Sequence, residues 1–418
     1  MGHDSIDEPV LHFLRKGQEQ KMEASMIKKI VDDVMPQMIS DRRHLHKHPE
    51  LSFEEYQTTE FLCRELEAAG IEDIRRPVKT GVVAVIHGAY PGKTVAIRAD
   101  IDALPIQEKT GLPFGSQVPG VMHACGHDVH TANLLAVGEL LFRTRERWNG
   151  KVKLVFQPAE ENGGGGREMI KAGLMEEKPD ACFALHVKNG TSGLIYLKQK
   201  YLSSYSDGYT LTIHGRAAHS SMPEEGVDAI YIASAVVSAL HGIASRNLSP
   251  MAQATLNVGT IHGGSAPNII ADQAVLGVMM RNVSRESRDV MRHQIETLAK
   301  GITESMGGTC DIAFRAGYPA VYNDVEFTKT VEQAFRSNAD RLYENMGDGR
   351  PEGWLITDLD PMLGAEDFGF FAQEAPSCMI FVGTGGDAPM HNPGFQVDER
   401  YIKLCTRAMA FVAAEYLK

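Results

Sequence analysis

Apolar positions in this chain fall into two alternating rhythms, and the alternation predicts an α/β protein. Met26 to Lys47 has the three- and four-residue spacing of an amphipathic helix. Ser52-Phe53-Glu54-Glu55 carries a capping-box pattern, which opens a second helix that stops at Ala69-Gly70. Short β-branched runs follow at Val82 to Ile86 and Thr94 to Ile97. Then come a helix over 128–147, a strand from Lys151 to Phe156, a glycine run at Gly163 to Gly166 with a helix from Arg167, and a strand from Ala181 to Leu185. Residues 1 to about 25 are polar and unpatterned and read as an extension that packs little.

Near Tyr205 the rhythm changes. A strand at Tyr209 to His214, a helix at Asp228 to Ser245, strands at Ala254 to Ile261 and Ala274 to Asn282, a helix at Arg288 to Ser305 and a strand at Thr309 to Arg315 spell β-α-β-β-α-β. That is the ferredoxin-like order. Residues 205–316 are therefore expected to form an inserted domain that divides a larger α/β domain into 1–204 and 317–418. The α/β pattern resumes with a helix over 327–345, a strand at Met379 to Val382 and a terminal helix to Lys418.

Candidate chemistry gathers where the strands of the larger domain end, which is where open α/β sheets place their sites. Asp100 and Asp102 follow the second strand, Glu160 and Glu161 follow the third in Gln157-Pro158-Ala159-Glu160-Glu161, and His186 follows the fourth. The run Met122-His123-Ala124-Cys125-Gly126-His127-Asp128-Val129-His130 stands at a loop-to-helix junction, and Gly126 lets Cys125 and His127 face one ion. Each residue alone has an ordinary reading: a buried thiol, solvated carboxylates, a core histidine at His186, a loop histidine at His391. Together, Cys125, His127, one glutamate, His186 and His391 exceed the four ligands of a tetrahedral zinc, and two ions are implied. Consecutive side chains in extended backbone point to opposite sides, so one of Glu160 and Glu161 can bind metal while the other stands over the attacking water as a general base. Asp100 and Asp102 are placed behind the ligands, orienting an imidazole.

Composition narrows the partners. The chain has 418 residues, long enough for two domains, and a formal net charge of -12 without clusters of Lys and Arg. Nucleic acid and anionic membranes are disfavoured and a small-molecule substrate is favoured. No apolar run approaches the ~20 residues of a membrane span, and Met1 to Gln20 is too charged for a secretory signal. The six scattered cysteines lack CxxC spacing, which suits reduced thiols and a cytoplasmic location.

Taken with Ala218-His219 and Gly364-Ala365-Glu366-Asp367-Phe368, these motifs resemble the dinuclear-metal aminoacylase/carboxypeptidase family. The resemblance is nearest to its branch of amidohydrolases that includes hippurate hydrolase, N-acyl-amino-acid amidohydrolase and the auxin-conjugate hydrolases. It runs in order from about His44 to the C-terminus. It implies a catalytic α/β domain with metal ligands Cys125, His127, Glu161, His186 and His391, with Glu160 as general base and Asp100 among the catalytic residues. It implies two divalent ions per subunit, manganese or zinc, with cobalt and nickel also in range, and hydrolysis of the amide between an acyl group and an amino acid. It further implies a homodimer through the inserted lid, in which His219 of one subunit serves the other's site, and a substrate carboxylate held by Asn268 and Arg281. Arg98 departs from the wider family, which carries a histidine there, and Ala271 stands where many branch members have proline. Alternatives are a dipeptidase or carboxypeptidase using the same site, a metal-binding module without catalysis, and a thiol enzyme with Cys125 as nucleophile.

Overall fold

The computed structural model describes residues 29–418, so the polar extension and the first residues of the helix expected from Met26 lie outside the described residues. The chain forms two compact units. One runs to Gln199 and resumes at Asn323–Leu359 and Phe371–Lys418; the other comprises Lys200–Tyr322 and Asp360–Phe370.

The first unit is built on an eight-stranded sheet. Its strands are β1 (Asp73–Arg75), β2 (Val82–His87), β3 (Thr94–Asp100), β4 (Lys151–Gln157), β5 (Ala181–Lys188), β6 (Ile195–Tyr196), β7 (Leu355–Ile356) and β8 (Ser377–Gly383), in the order β1-β2-β4-β3-β5-β8-β6-β7. The central strands β4, β3, β5 and β8 run parallel. Their side chains are buried on both faces, which is why they read as continuous apolar runs rather than alternations. The longer helices are α1 (29–47), α2 (Tyr56–Ala68), α3 (His127–Arg143), α4 (Val325–Ser337) and α5 (Ile402–Tyr416). α3 is buried along most of its length because it packs on both β3 and α5. Parallel β3, β4 and β5 bring Asp100, Gln157 and the last residues of β5 to the carboxyl end of the strands, and the site lies there.

Two local expectations are corrected. The capping box does not form: Glu55 sits at the start of α2 without a capping bond from its side chain, and the Gln57 and Thr58 amides donate instead to the Glu50 carboxylate. Ser52 and Glu55 have partners from distant loops, which outbid the local pattern. β5 extends to Lys188, so His186 lies inside a strand rather than beyond its end.

In the second unit, strands Tyr205–His214, Ala254–Gly263, Gln273–Asn282 and Thr309–Ala316 form an antiparallel sheet whose spatial order is second, third, first, fourth. With helices Ala229–Leu240 and Arg285–Ser305 this is the ferredoxin-like arrangement. Asp228 and Ser284 cap the two helices, and Leu211, Ile232, Val236, Leu276, Met291 and Ile295 fill the core between helices and sheet. The helical stretch Ala229–Arg246 is long and apolar enough to cross a membrane by composition, but it breaks at His241-Gly242 and buries Ile232, Ala233, Val236 and Leu240 in this core. The segment Asp360–Phe370 returns to this unit, where the Met362 amide donates to the Leu202 carbonyl and Arg281 and Ser204 donate to the Leu363 carbonyl.

Candidate metal centre

Gly126 makes the junction that opens α3. Its φ is +93°, and a Cβ there would lie 2.4 Å from Val187 Cγ2, so only glycine fits between Cys125 and His127. The turn places both side chains on the side facing β5. Cys125 Sγ is 3.4 Å from His186 Nε2, and the donor atoms of Cys125, His127 and Glu161 lie within 4.8 Å of one another. His391 joins from a loop in which its own φ is +64°; its amide donates to the Ala124 carbonyl, and its Nε2 is 3.2 Å from Glu161 Oε1. All five expected ligands thus converge.

Hydrogen bonds fix which ring nitrogens carry protons. His127 Nδ1 is 2.9 Å from the Asp102 carbonyl oxygen, which can only accept, so Nδ1 donates and Nε2 is the nitrogen left to face a metal. His186 Nδ1 likewise donates to the Val187 carbonyl and leaves Nε2 toward Cys125. His130 is the reverse case. The Val187 amide donates to its Nε2 at 2.9 Å and its Nδ1 donates to Asp100, so both nitrogens are used and His130 is no ligand, although it lies close to Asp100, His127 and His186. Instead it ties Asp100 to the backbone beside His186. His130 was not among the expected site residues; the signal was its place one turn after His127, on the same helix face.

Asp100 and Asp102 stand behind the ligands, as expected, and do more than orient rings. Asp102 accepts from His127, from Ser52 Oγ at 2.6 Å, and from the amides of Glu160 and Glu161 at 3.2 and 3.0 Å. Burial pushes the Asp102 carboxyl up, but these donors outweigh it and hold it below its usual range. Arg98 occupies the place of the missing histidine: fully buried, it donates to Asp100 at 2.7 Å and to Gln157 at 2.9 Å. Burial raises Asp100, yet His127, Arg98 and His130 bring it well below its ordinary value. The glycine run after Glu161 has a steric cause, since a Cβ on Gly165 would lie 1.7 Å from the Pro158 carbonyl oxygen.

The donor set fits divalent metal. His127 Nε2 is buried, makes no hydrogen bond, and faces Glu161 Oε1 at 3.9 Å and Asp100 Oδ2 at 3.6 Å. Burial disfavours a charged His127, but Asp100, Cys125 and Asp102 around it outweigh that and raise its pKa well above the ordinary value, so the pocket calls for positive charge, which a divalent cation supplies when it binds. Burial pushes the Cys125 thiol well up, so a thiolate forms there only against a cation.

In the second unit His219 and Asn268 come together. Ala218–His219 pairs with Ile269–Ile270, and the Ser220 amide donates to the Asn268 carbonyl at 3.1 Å. His219 Nδ1 accepts from the Ser221 amide, which leaves the proton on the exposed Nε2. Arg281 is elsewhere. It pairs with Ser206 at the opposite end of strand Gln273–Asn282 from Gln273, beside which the His219 loop begins, about 27 Å away at ~3.4 Å per residue.

Residues 96–415 match peptidase family M20/M25/M40. Thermostable carboxypeptidase 1 of Saccharolobus solfataricus is 35% identical over 400 residues, 93% of this chain and 98% of the relative. N-acetyl-L-cysteine deacetylase of Bacillus subtilis is 38% identical over 367 residues, 88% of this chain and 85% of the relative. Among solved structures, the Bacillus subtilis YXEP protein, described as a dinuclear metal binding peptidase from the M20 family, matches with a TM-score of 0.80 at 32% identity, covering 92% of this chain and 99% of its own.

Proposed function

Because this chain belongs to peptidase family M20/M25/M40 and is a metal-dependent amide hydrolase, we propose that it cleaves the amide bond of N-acyl amino acids. The observation that carries the reading is the convergence of the Cys125, His127 and Glu161 donor atoms within 4.8 Å of one another, with a buried His127 Nε2 that makes no hydrogen bond and His391 beside Glu161. Cys125, His127, Glu161, His186 and His391 hold two divalent cations, with manganese or zinc as first candidates and cobalt or nickel next. When bound, the cations polarise the substrate carbonyl and lower the pKa of a water from ~15.7 toward ~7. Glu160, held by its amide to Asp102, takes a proton from the attacking water and returns it to the leaving amine. Arg281 holds the substrate carboxylate, together with Asn268.

His219 and Asn268 act across a homodimer in this reading. A substrate of two-residue size reaches about 7 Å, so Arg281 and the His219 loop, at opposite ends of one sheet, serve the same molecule only from different subunits. The exposed Tyr231, Ile230 and Ile261, and the strand Ala254–Gly263 with one unpaired edge, support a contact through this unit. His219 Nε2–H then donates to the oxyanion. Six unpaired cysteines support a cytoplasmic location, and the net charge of -12 supports a small-molecule substrate rather than nucleic acid or an anionic membrane.

A second reading, carboxypeptidase or dipeptidase, is favoured by the 35% identity to thermostable carboxypeptidase 1. The test is hydrolysis of N-acetyl and N-benzoyl amino acids against free dipeptides and N-blocked peptides, after chelation and return of each metal. Turnover of acyl amino acids, lost with the metal and regained on its return, is expected. Turnover confined to substrates with a free α-amino group makes it a dipeptidase, peptide-only turnover a carboxypeptidase, and activity that survives chelation overturns the metal.

A further inference from the structure

Glu55 is fully buried, lies outside the metal centre, and takes no part in the chemistry described so far. Its Oε1 accepts the Ala159 amide at 2.9 Å. Ala159 has φ +54°, the left-handed region that non-glycine residues rarely enter, and it immediately precedes Glu160. The next two amides, of Glu160 and Glu161, donate to Asp102. Three successive N–H groups of one turn are therefore gripped by two carboxylates from other parts of the chain, and the Ala159 carbonyl accepts from Gly165. Glu55 is itself anchored. Its carbonyl accepts from Thr59, amide and hydroxyl, and the Thr59 hydroxyl accepts the Gly81 amide.

We propose that Glu55 is a positioning residue for the general base: by accepting the Ala159 amide it holds the left-handed turn from which Glu160 projects, while Asp102 holds the Glu161 amide separately. The proposal rests on the reading of Glu160 as base and Glu161 as ligand. Burial raises the Glu55 carboxyl to about 7, so glutamine, of the same shape and with an acceptor oxygen, is a close stand-in. Removing the acceptor frees Ala159 to relax out of the left-handed region and swings Glu160 away from the attacking water.

The test compares Glu55→Gln, Glu55→Ala and Glu55→Asp in the metal-loaded full chain. Glu55→Ala is expected to lower kcat about 10- to 100-fold, the scale of an ångström misplacement, with KM and metal stoichiometry unchanged and with faster hydrogen exchange in the peptide spanning 156–162. Glu55→Gln is expected to retain kcat and exchange protection. Where Glu55→Ala fails to fold, Glu55→Asp withdraws the oxygen by one methylene, and its loss is expected to be partly recovered by adding Ala159→Gly, which takes the left-handed φ without restraint. A wild-type kcat in Glu55→Ala, equal damage in Glu55→Gln and Glu55→Ala, or no recovery by Ala159→Gly overturns the proposal. Glu160→Gln separates the two failures: if it keeps full activity the base assignment is wrong, while the exchange measurement still decides whether Glu55 holds the turn.

Discussion

Subunit complementation tests the dimeric site most directly. His219→Ala removes the proposed oxyanion donor and leaves Glu160; Glu160→Gln removes the base and leaves His219. If His219 serves the partner's site, a heterodimer of the two has one site with both groups native and one with neither. Random re-association of equal amounts makes half of all dimers mixed, so recovered activity should approach about one quarter of the wild-type rate. Each parent alone should sit lower by the ~10²–10³ typical of a lost oxyanion donor or the ~10²–10⁴ of a lost base. The expectation rests on the sheet register, which sets Arg281 beside Ser206 at one end and the His219–Ile269 pairing beyond the other. The assay is initial rate on an N-acyl amino acid after mixing, with heterodimer content counted by native mass spectrometry. Confirmed heterodimers with no gain over the parents refute the cross-subunit role.

Three shorter predictions concern single side chains. Glu160→Gln should cut kcat by about 10²–10⁴ and keep both metals, whereas Glu161→Gln should lose metal as well; equal metal content in the two variants by elemental analysis removes the distinction. Cys125→Ser should weaken metal binding, and peroxide should inactivate the apo protein faster than the metal-loaded one because ligation shields the sulfur; identical rates exclude Cys125 as a ligand. Burial pushes Glu108 up, but hydrogen bonds from His46, Thr110 and Ser116 outweigh it and hold its carboxyl at about 2, below the ordinary 4.5. A depressed pKa gives stability present above 4.5 and lost as pH falls toward about 2. Glu108→Gln should therefore cost about 0.5–1.5 kcal/mol at neutral pH, since Glu108 is only partly shielded from solvent, with a Tm gap to wild type that closes over that window; a gap independent of pH shows that charge is not the cause.

What the sequence made legible were features set by short-range periodicity. The ferredoxin-like order was readable because each strand and helix there has one buried face, as the alternating exposure of Gln273–Asn282 shows. Cys125, His127, Glu161 and His186 were readable because they sit at or near strand ends and one helix start, whereas His391 stands in a loop with no such signal. Long-range partners were not. Ser52 and Glu55 match a capping box in every local respect, yet Ser52 donates to Asp102 and Glu55 accepts from Ala159, 104 positions away. His130 and His127 are equally histidine in sequence, and only the Val187 amide and the Asp102 carbonyl decide that one is spent and the other poised.

The return of Asp360–Phe370 to the unit of Lys200–Tyr322 has a consequence for biosynthesis. The sheet and apolar core of that unit are complete within its own 123 contiguous residues, but the Leu202 carbonyl and the Arg281 guanidinium find their partners at Met362 and Leu363 only after about 40 more residues have left the ribosome. A nascent chain halted before residue 360, or a fragment cut out as 205–316, should therefore fold its sheet yet leave the Arg281 side chain without the Leu363 carbonyl that holds it.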